Sequence, residues 1–273
     1  MKTNASPQKV VLITGASSGI GKSIGEYLSK QNFKVYGTSR NPSKISHPPF
    51  AMVALDVTKK ETIATAIDQI IAEQGKIDVL INNAGVGITG PIEETPDEEI
   101  AKAFETNYFG PIKVIKAVLP NMRKQNSGLI INITSIAGYM GLPYRGIYSA
   151  SKGALELTTE AFRMELKDFN IKMTSVAPGD FATNIAAGRY HAPVLEDSPY
   201  KEPYGNTLKL MNKDVDAGKD PLLMAKAVHK IIQEKDPRGH YKVGEVLQKF
   251  SVGLKRILPD KVYEKMLLKH YKL

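Results

Sequence analysis

The chain has 273 residues, 42% hydrophobic and 24% charged, with a formal net charge of +9. That is long enough for one large α/β domain or two small ones, with a core that needs no covalent staples. It contains no cysteine, which excludes disulfides, thiolate metal sites and a cysteine nucleophile.

The N-terminal MKTNASPQK lacks the apolar segment of a signal peptide, and no apolar run reaches membrane-spanning length, so a cytoplasmic location is expected. Short β-branched runs follow: KVVLIT (9–14), FKVYGT (33–38), AMVAL (51–55), IDVLIN (77–82), LIINIT (129–134) and IKMTSV (171–176). Helical stretches at 19–31, 59–74, 97–123 and 147–168 separate most of them. Such alternation, with continuously apolar strands, predicts a parallel sheet covered on both faces. No internal repeat or linker divides the chain. The expected fold is α/β, a single-domain Rossmann-type doubly wound parallel sheet spanning 1–273.

Residues 183–220 carry Gly188, Pro193, Pro199, Pro203, Gly205 and Gly218 among polar residues. They read as a long irregular insertion, and its place beyond a strand's carboxyl end suits a substrate-binding lid better than a decorative loop. A helix (219–234) and a short strand, GHYKVG (239–244), come next. The segment 245–273 reads as a basic tail of two short helices parted near Pro259. From Ala225 to Leu273, twelve lysines and arginines stand against five acidic residues. This surplus fits a solvated lysine-rich face better than a site for nucleic acid, an acidic protein or anionic lipid. Val246, Phe250, Leu254 and Ile257 fall on one helical stripe, as expected for core or a subunit contact, with peripheral membrane contact the less favoured reading.

Immediately after the first strand stands TGASSGIGK (14–22). Gly15, Gly19 and Gly21 give G-x-x-x-G-x-G between strand and helix. A glycine there permits a tight turn and lets backbone N–H groups approach a pyrophosphate at the helix N-terminus. The second strand ends in GTSRNPSK (37–44), where Arg40 follows neutral Thr38 and Ser39 and no acid is near. A carboxylate would repel a 2′-phosphate, whereas a guanidinium can fork onto it. NADP(H) is therefore expected over NAD(H), with Lys22 and Lys44 as further candidate cations. An ordinary exposed arginine is the plain alternative.

YSASK (148–152) places Tyr148 and Lys152 four residues apart, side by side on a helix, with only small residues between. The pair is either a surface accident or a way of changing a phenol's pKa, ordinarily about 10, which a neighbouring ammonium lowers. The five histidines (47, 191, 229, 240 and 270) show no ligand spacing, so no metal is expected.

With TGASSGIG, DV (56–57), NNAG (82–85), Asn107 in ETNYFG, Ser135 in NITSIAG thirteen residues before Tyr148, YSASK and PG (178–179), the chain resembles the short-chain dehydrogenase/reductase family from about residue 9 to 184. The resemblance implies a catalytic set of Asn107, Ser135, Tyr148 and Lys152. Tyr148 would exchange a proton with the substrate oxygen, Ser135 would hydrogen-bond that oxygen, Lys152 would also hold the nicotinamide ribose, and Asn107 would hold a relay water. It implies cofactor contacts from Gly15, Ser17, Ser18, Gly19, Ile20, Gly21, Arg40, Asp56, Val57, Asn83, Ala84, Gly85, Tyr148, Lys152, Pro178, Gly179 and Thr183.

GTSR, the MGLPY segment and the long tail are similar to the hydroxysteroid and retinol dehydrogenase branch. That branch implies a lipophilic carbonyl or alcohol as substrate, in a pocket to which Met140, Leu142, Pro143 and Tyr144 contribute. A 3-oxoacyl-carrier-protein reductase is a second enzymatic reading. A catalytically silent NADP(H)-sensing protein is a third, disfavoured by the complete catalytic set. Relatives commonly pair into dimers or tetramers through the helices at 97–123 and 147–168. Nucleic acid is not expected, since no basic stretch is interleaved with aromatics on a recognisable module.

Overall fold

The computed structural model describes residues 8–45, 47–182, 188–216 and 218–273. In chain order the elements are β1 (Val10–Ile13), α1 (Gly19–Ser29), β2 (Lys34–Ser39), β3 (Ala51–Ala54), α2 (Lys60–Gln74), β4 (Val79–Asn82), β5 (Ile88–Thr89), α3 (Asp97–Phe104), α4 (Gly110–Gln125), β6 (Gly128–Ile133), α5 (Gly146–Glu165), β7 (Ile171–Pro178), β8 (Tyr190–His191), α6 (Lys201–Asp216), α7 (Leu222–Gln233), β9 (His240–Val243), α8 (Val246–Ile257) and α9 (Asp260–Tyr271).

Seven strands form one sheet in the order β3-β2-β1-β4-β6-β7-β9, every neighbouring pair parallel. Strand periodicity feeds two cores. Val10 and Leu12 pack with Ile63 and Ile67 of α2 and Val114 and Val118 of α4 on one face. Val11 and Ile13 meet Ile24 and Leu28 of α1 and Val228 and Ile231 of α7 on the other. Burying each such side chain stabilises the fold by roughly 1.5–3 kcal/mol. A one-residue slip would exchange the two sets, yet both are apolar, so register rests on packing shape and on the turns between elements. The chain runs outward from β1 through β2 to β3, then returns to β4 and continues the other way. The crevice where order reverses, at the carboxyl ends of β1 and β4, is where such sheets bind ligands.

Three features depart from the expected elements. The long helix at 97–123 is α3 and α4 joined by a π-helical turn, Glu105–Phe109, whose Gly110 N–H reaches back to the Glu105 carbonyl. The expected irregular lid contains a helix, α6. Pro203 stands in its first turn, where its missing N–H costs nothing, and Tyr204, Thr207 and Met211 form its buried stripe. A small parallel pair, β5 with β8, ties the loop after β4 to the loop after β7.

The tail also differs from its expectation. Val252 and Tyr263 pack with Ile136, Met140 and Ala177 in a third apolar cluster, so α8 and α9 belong to the body of the domain. Val246, Phe250 and Ile257 are exposed in the single chain, which rules out the core half of the expectation and does not test the subunit contact, and Leu254 of that stripe packs partly inward. The helix is rotated so that Val252, not the longer stripe, enters the cluster.

Candidate active site

Two cavities meet over the carboxyl edge of the sheet. The first is a groove of about 860 Å³ along the ends of β1, β2 and β4. Its floor is the turn after β1. Gly15 adopts φ +65°, open to glycine at little cost, and a Cβ there would lie 2.8 Å from the Ala84 Cα. The Thr14 hydroxyl accepts from the backbone N–H groups of Asn83 (3.0 Å) and Ala84 (3.1 Å), while the Asn83 amide donates to the carbonyls of Thr14 and Gly15. The Gly15 N–H donates to the Thr38 hydroxyl, which is therefore buried beneath the loop.

Ser17, Ser18, Gly19 and Ile20 line this groove, as do Arg40, Asp56, Val57, Asn83, Ala84, Gly85 and Pro178. Gly21 lies beneath it, where a Cβ would meet the Asn83 amide at 2.4 Å and the Gly15 carbonyl oxygen at 2.5 Å. Ser39, Asn41 and Lys44 join Arg40 at the far end. Lys22, the other candidate cation, is drawn to Glu26 on the surface. Burial works against ionisation of Asp56. Hydrogen bonds from the Thr58 N–H and hydroxyl outweigh it, with help from Arg40 and Lys59, and hold the carboxyl below its ordinary range. Thr183 lies outside the described residues.

The second cavity, about 520 Å³, is lined by Ser135, Ile136, Met140 and Leu142 after β6, by Gly179 and Phe181 after β7, and by the tail helices. Leu254 of α8 and Tyr263, Met266 and Leu267 of α9 supply much of its apolar wall, a contribution that sequence spacing did not reveal. Pro143 and Tyr144 are not among its lining residues. Tyr144 instead takes a left-handed conformation, φ +57°, and packs against Tyr204 of α6 at 5.2 Å between ring centroids.

Tyr148 borders both cavities. Ser135 lies on the apolar side, where its hydroxyl oxygen accepts from the Ala137 N–H at 3.1 Å. The hydroxyl proton stays available for a ligand. Lys152 lies on the groove side and donates to the Ile133 carbonyl at 3.0 Å. Burial pushes its ammonium pKa down, and Tyr148 opposes that shift. Behind both, the Asn107 amide grips the Val86 backbone from two directions, accepting from its N–H at 2.8 Å and donating to its carbonyl at 2.9 Å, and also donates to the Ser151 hydroxyl. The π turn is what brings a helix residue into that position. A Cβ on Gly85 would lie 3.1 Å from the Asn107 Oδ1 and 3.3 Å from the Lys152 Nζ, so these groups crowd closely around that glycine.

Two arginines of the apolar cavity were not anticipated. The Arg145 guanidinium lies 5.5 Å from the Tyr148 ring centroid. Arg189, in the loop leading to β8, has a buried Nη1 with no hydrogen-bond partner among the described residues. Other charges lining the cavity are paired: Lys219 with Glu245, and Asp180 with the Gln248 amide. Among the described residues no cluster of His, Cys, Asp or Glu could hold a metal ion.

A parallel α/β sheet with a glycine turn at its switch point, and a buried lysine one helical turn from a tyrosine that fronts both cavities, defines a dinucleotide-binding oxidoreductase. The short chain dehydrogenase family model matches residues 9–193, and the chain belongs to that family. It is 43% identical over 257 residues to a 3-ketodihydrosphingosine reductase of Bacteroides thetaiotaomicron, covering 94% of this chain and 95% of that protein. It is 36% identical over 212 residues to human retinol dehydrogenase 8, covering 73% and 67% of the two chains. Among solved structures, a short-chain dehydrogenase from Streptomyces avermitilis superposes with a TM-score of 0.80 at 32% identity, over 97% of each chain. ElxO with NADP bound superposes with a TM-score of 0.69 at 29% identity, over 86% of this chain and 97% of that one. The protein is thus an oxidoreductase with a site for a nicotinamide cofactor.

Proposed function

We propose that the protein reduces the ketone of a lipophilic, long-chain substrate to a secondary alcohol with NADPH, or runs the reverse reaction. The observation that carries this reading is the position of Tyr148 at the junction of a polar groove and an apolar pocket, with Lys152 on one side and Ser135 on the other. Bound in the groove, the reduced nicotinamide would supply the hydride. Tyr148 gives its phenolic proton to the substrate oxygen, and the Ser135 hydroxyl donates to the same oxygen as negative charge develops there. The Lys152 ammonium stabilises the phenolate left behind. Asn107, anchored on Val86, holds the relay water through which Lys152 and Tyr148 are reprotonated.

Arg40 supports the choice of NADPH. It lines the groove beside Lys44, and the groove-lining acid its charge acts on, Asp56, already accepts two hydrogen bonds from Thr58. The apolar wall from α8 and α9 and the likeness to a 3-ketodihydrosphingosine reductase support a long-chain ketone. Arg145 beside the Tyr148 ring and the Arg189 Nη1, which has no hydrogen-bond partner among the described residues, suit one that carries hydroxyl or other acceptor oxygens near its carbonyl. A dimer or tetramer built on α4 and α5 accords with exposed Leu157 and Met164, which share one face of α5.

The test is NADPH oxidation against 3-ketodihydrosphingosine, simple long-chain ketones, steroids and retinal, with Tyr148→Phe in parallel. Turnover in the parent that falls by about 10²–10⁴ in Tyr148→Phe, at unchanged NADPH affinity, is expected. Undiminished turnover in the variant would sink the mechanism, and NADPH binding without turnover of any of these compounds would return the sensor reading to the front.

A further inference from the structure

The C-terminal helix pair carries apolar groups on the outside of the domain as well as the inside. On α8, Val246, Phe250 and Ile257 are 78%, 60% and 80% exposed. Their spacing of four and seven residues puts them on one stripe, with Gly253 completing it. On α9, Val262 and Met266, one turn apart, are also exposed. Met266 is 45% exposed and lines the apolar pocket as well, so it stands at the pocket's rim. Leu254, which lines the pocket too, follows the outer stripe by less than a quarter turn of α8. The outward apolar surface therefore runs up to the mouth of the pocket.

Cations frame this surface. Residues 246–273 contain seven lysines and arginines against two acidic residues, and one of those two, Asp260, is already bridged to Lys255. Lys261, Lys265, Lys269 and Lys272 are exposed along α9, and no ion pair joins them to any described residue. A second copy of the chain set face to face on this surface would bring two such basic borders together. An anionic bilayer complements both features at once, taking the apolar stripe into its headgroup boundary and the lysines onto its phosphates.

We propose that the outer face of α8 and α9 docks on an anionic lipid surface and opens the apolar pocket toward the bilayer. The helices lie in the interface and do not cross it, and no helix among the described residues is long and apolar enough to span a membrane. Substrate would then enter from lipid past Met266 and Leu254 without passing through water.

The experiment is flotation of the full chain with vesicles of phosphatidylcholine alone or mixed with phosphatidylglycerol, without substrate or cofactor, so its outcome is independent of the reductase reading. The parent is expected to float with the mixed vesicles and not with phosphatidylcholine, and to be released by salt. Phe250→Ser with Ile257→Ser is expected to weaken binding at least about tenfold. Both side chains are exposed and outside the pocket, so NADPH binding and the melting temperature should hold. Lys265→Glu with Lys269→Glu should also lose the preference for anionic vesicles. A parent that ignores the mixed vesicles, or a serine variant that floats as well as the parent, overturns the proposal. So does a parent oligomer that the serine variant converts to a smaller species in sedimentation velocity, which would make this face a contact between copies.

Discussion

On the groove side of Tyr148 the floor is backbone and short side chains held by backbone, with longer side chains such as Arg40, Lys44 and Lys152 along the walls. Thr14 and Asn83 knit the ends of β1 and β4 together, and a Cβ at Gly15 or Gly21 would fall 2.8 Å from the Ala84 Cα or 2.4 Å from the Asn83 amide. On the other side the walls are long side chains contributed by segments far apart in the chain: Met140 and Leu142 after β6, Arg189 before β8, Leu254 and Met266 from the tail. The groove floor has little freedom to change its shape, because a side chain added at Gly15 or Gly21 meets backbone atoms. The pocket can be relined one side chain at a time. A common hydride chemistry and a variable substrate follow from that division.

The largest effect outside the Tyr148→Phe test is expected in the groove floor. Gly21→Ala sets a methyl against the Asn83 amide and the Gly15 carbonyl, and NADPH binding by isothermal titration should weaken about 10- to 100-fold. Retained affinity would show that the floor is not the rigid half. Arg40→Ala sharpens the comparison at the groove's other end. The ratio of kcat/KM for NADPH over NADH should fall about tenfold, while NADH kinetics stay nearly constant. An unchanged ratio would leave Arg40 a surface residue and remove the basis for an NADPH preference.

The smallest effect is expected in the pocket. Arg189→Met keeps the bulk and removes the unpaired Nη1. KM for a ketone with oxygen functions beside its carbonyl should rise several-fold, by the worth of roughly one hydrogen bond. KM for a plain long-chain ketone and the NADPH dissociation constant should stay put. If NADPH affinity moves instead, Arg189 faces the groove and the two halves are not separate as described.

Local chemistry determined a good deal of this protein from sequence alone. The alternating apolar runs specified the parallel sheet, and the strand-to-helix position of Gly15, Gly19 and Gly21 marked the dinucleotide end, because a tight turn below a helix N-terminus demands glycine at those points. The four-residue spacing of Tyr148 and Lys152 set both side chains on one helical face. Asn107 lies inside the expected helix at 97–123, and nothing in its neighbourhood announced the π turn at which α3 and α4 part.

Only the tertiary structure decided what lines the apolar cavity beside Tyr148. Arg189 reaches Tyr148's cavity through a loop whose course no periodicity encodes. Val246, Phe250 and Ile257 have the spacing of a core stripe, yet α8 is rotated so that Val252 packs on Ile136, Met140 and Ala177, residues distant in the chain. Helical spacing says which residues share a face. Which face turns inward depends on what the rest of the chain offers to cover it, and that information is not local.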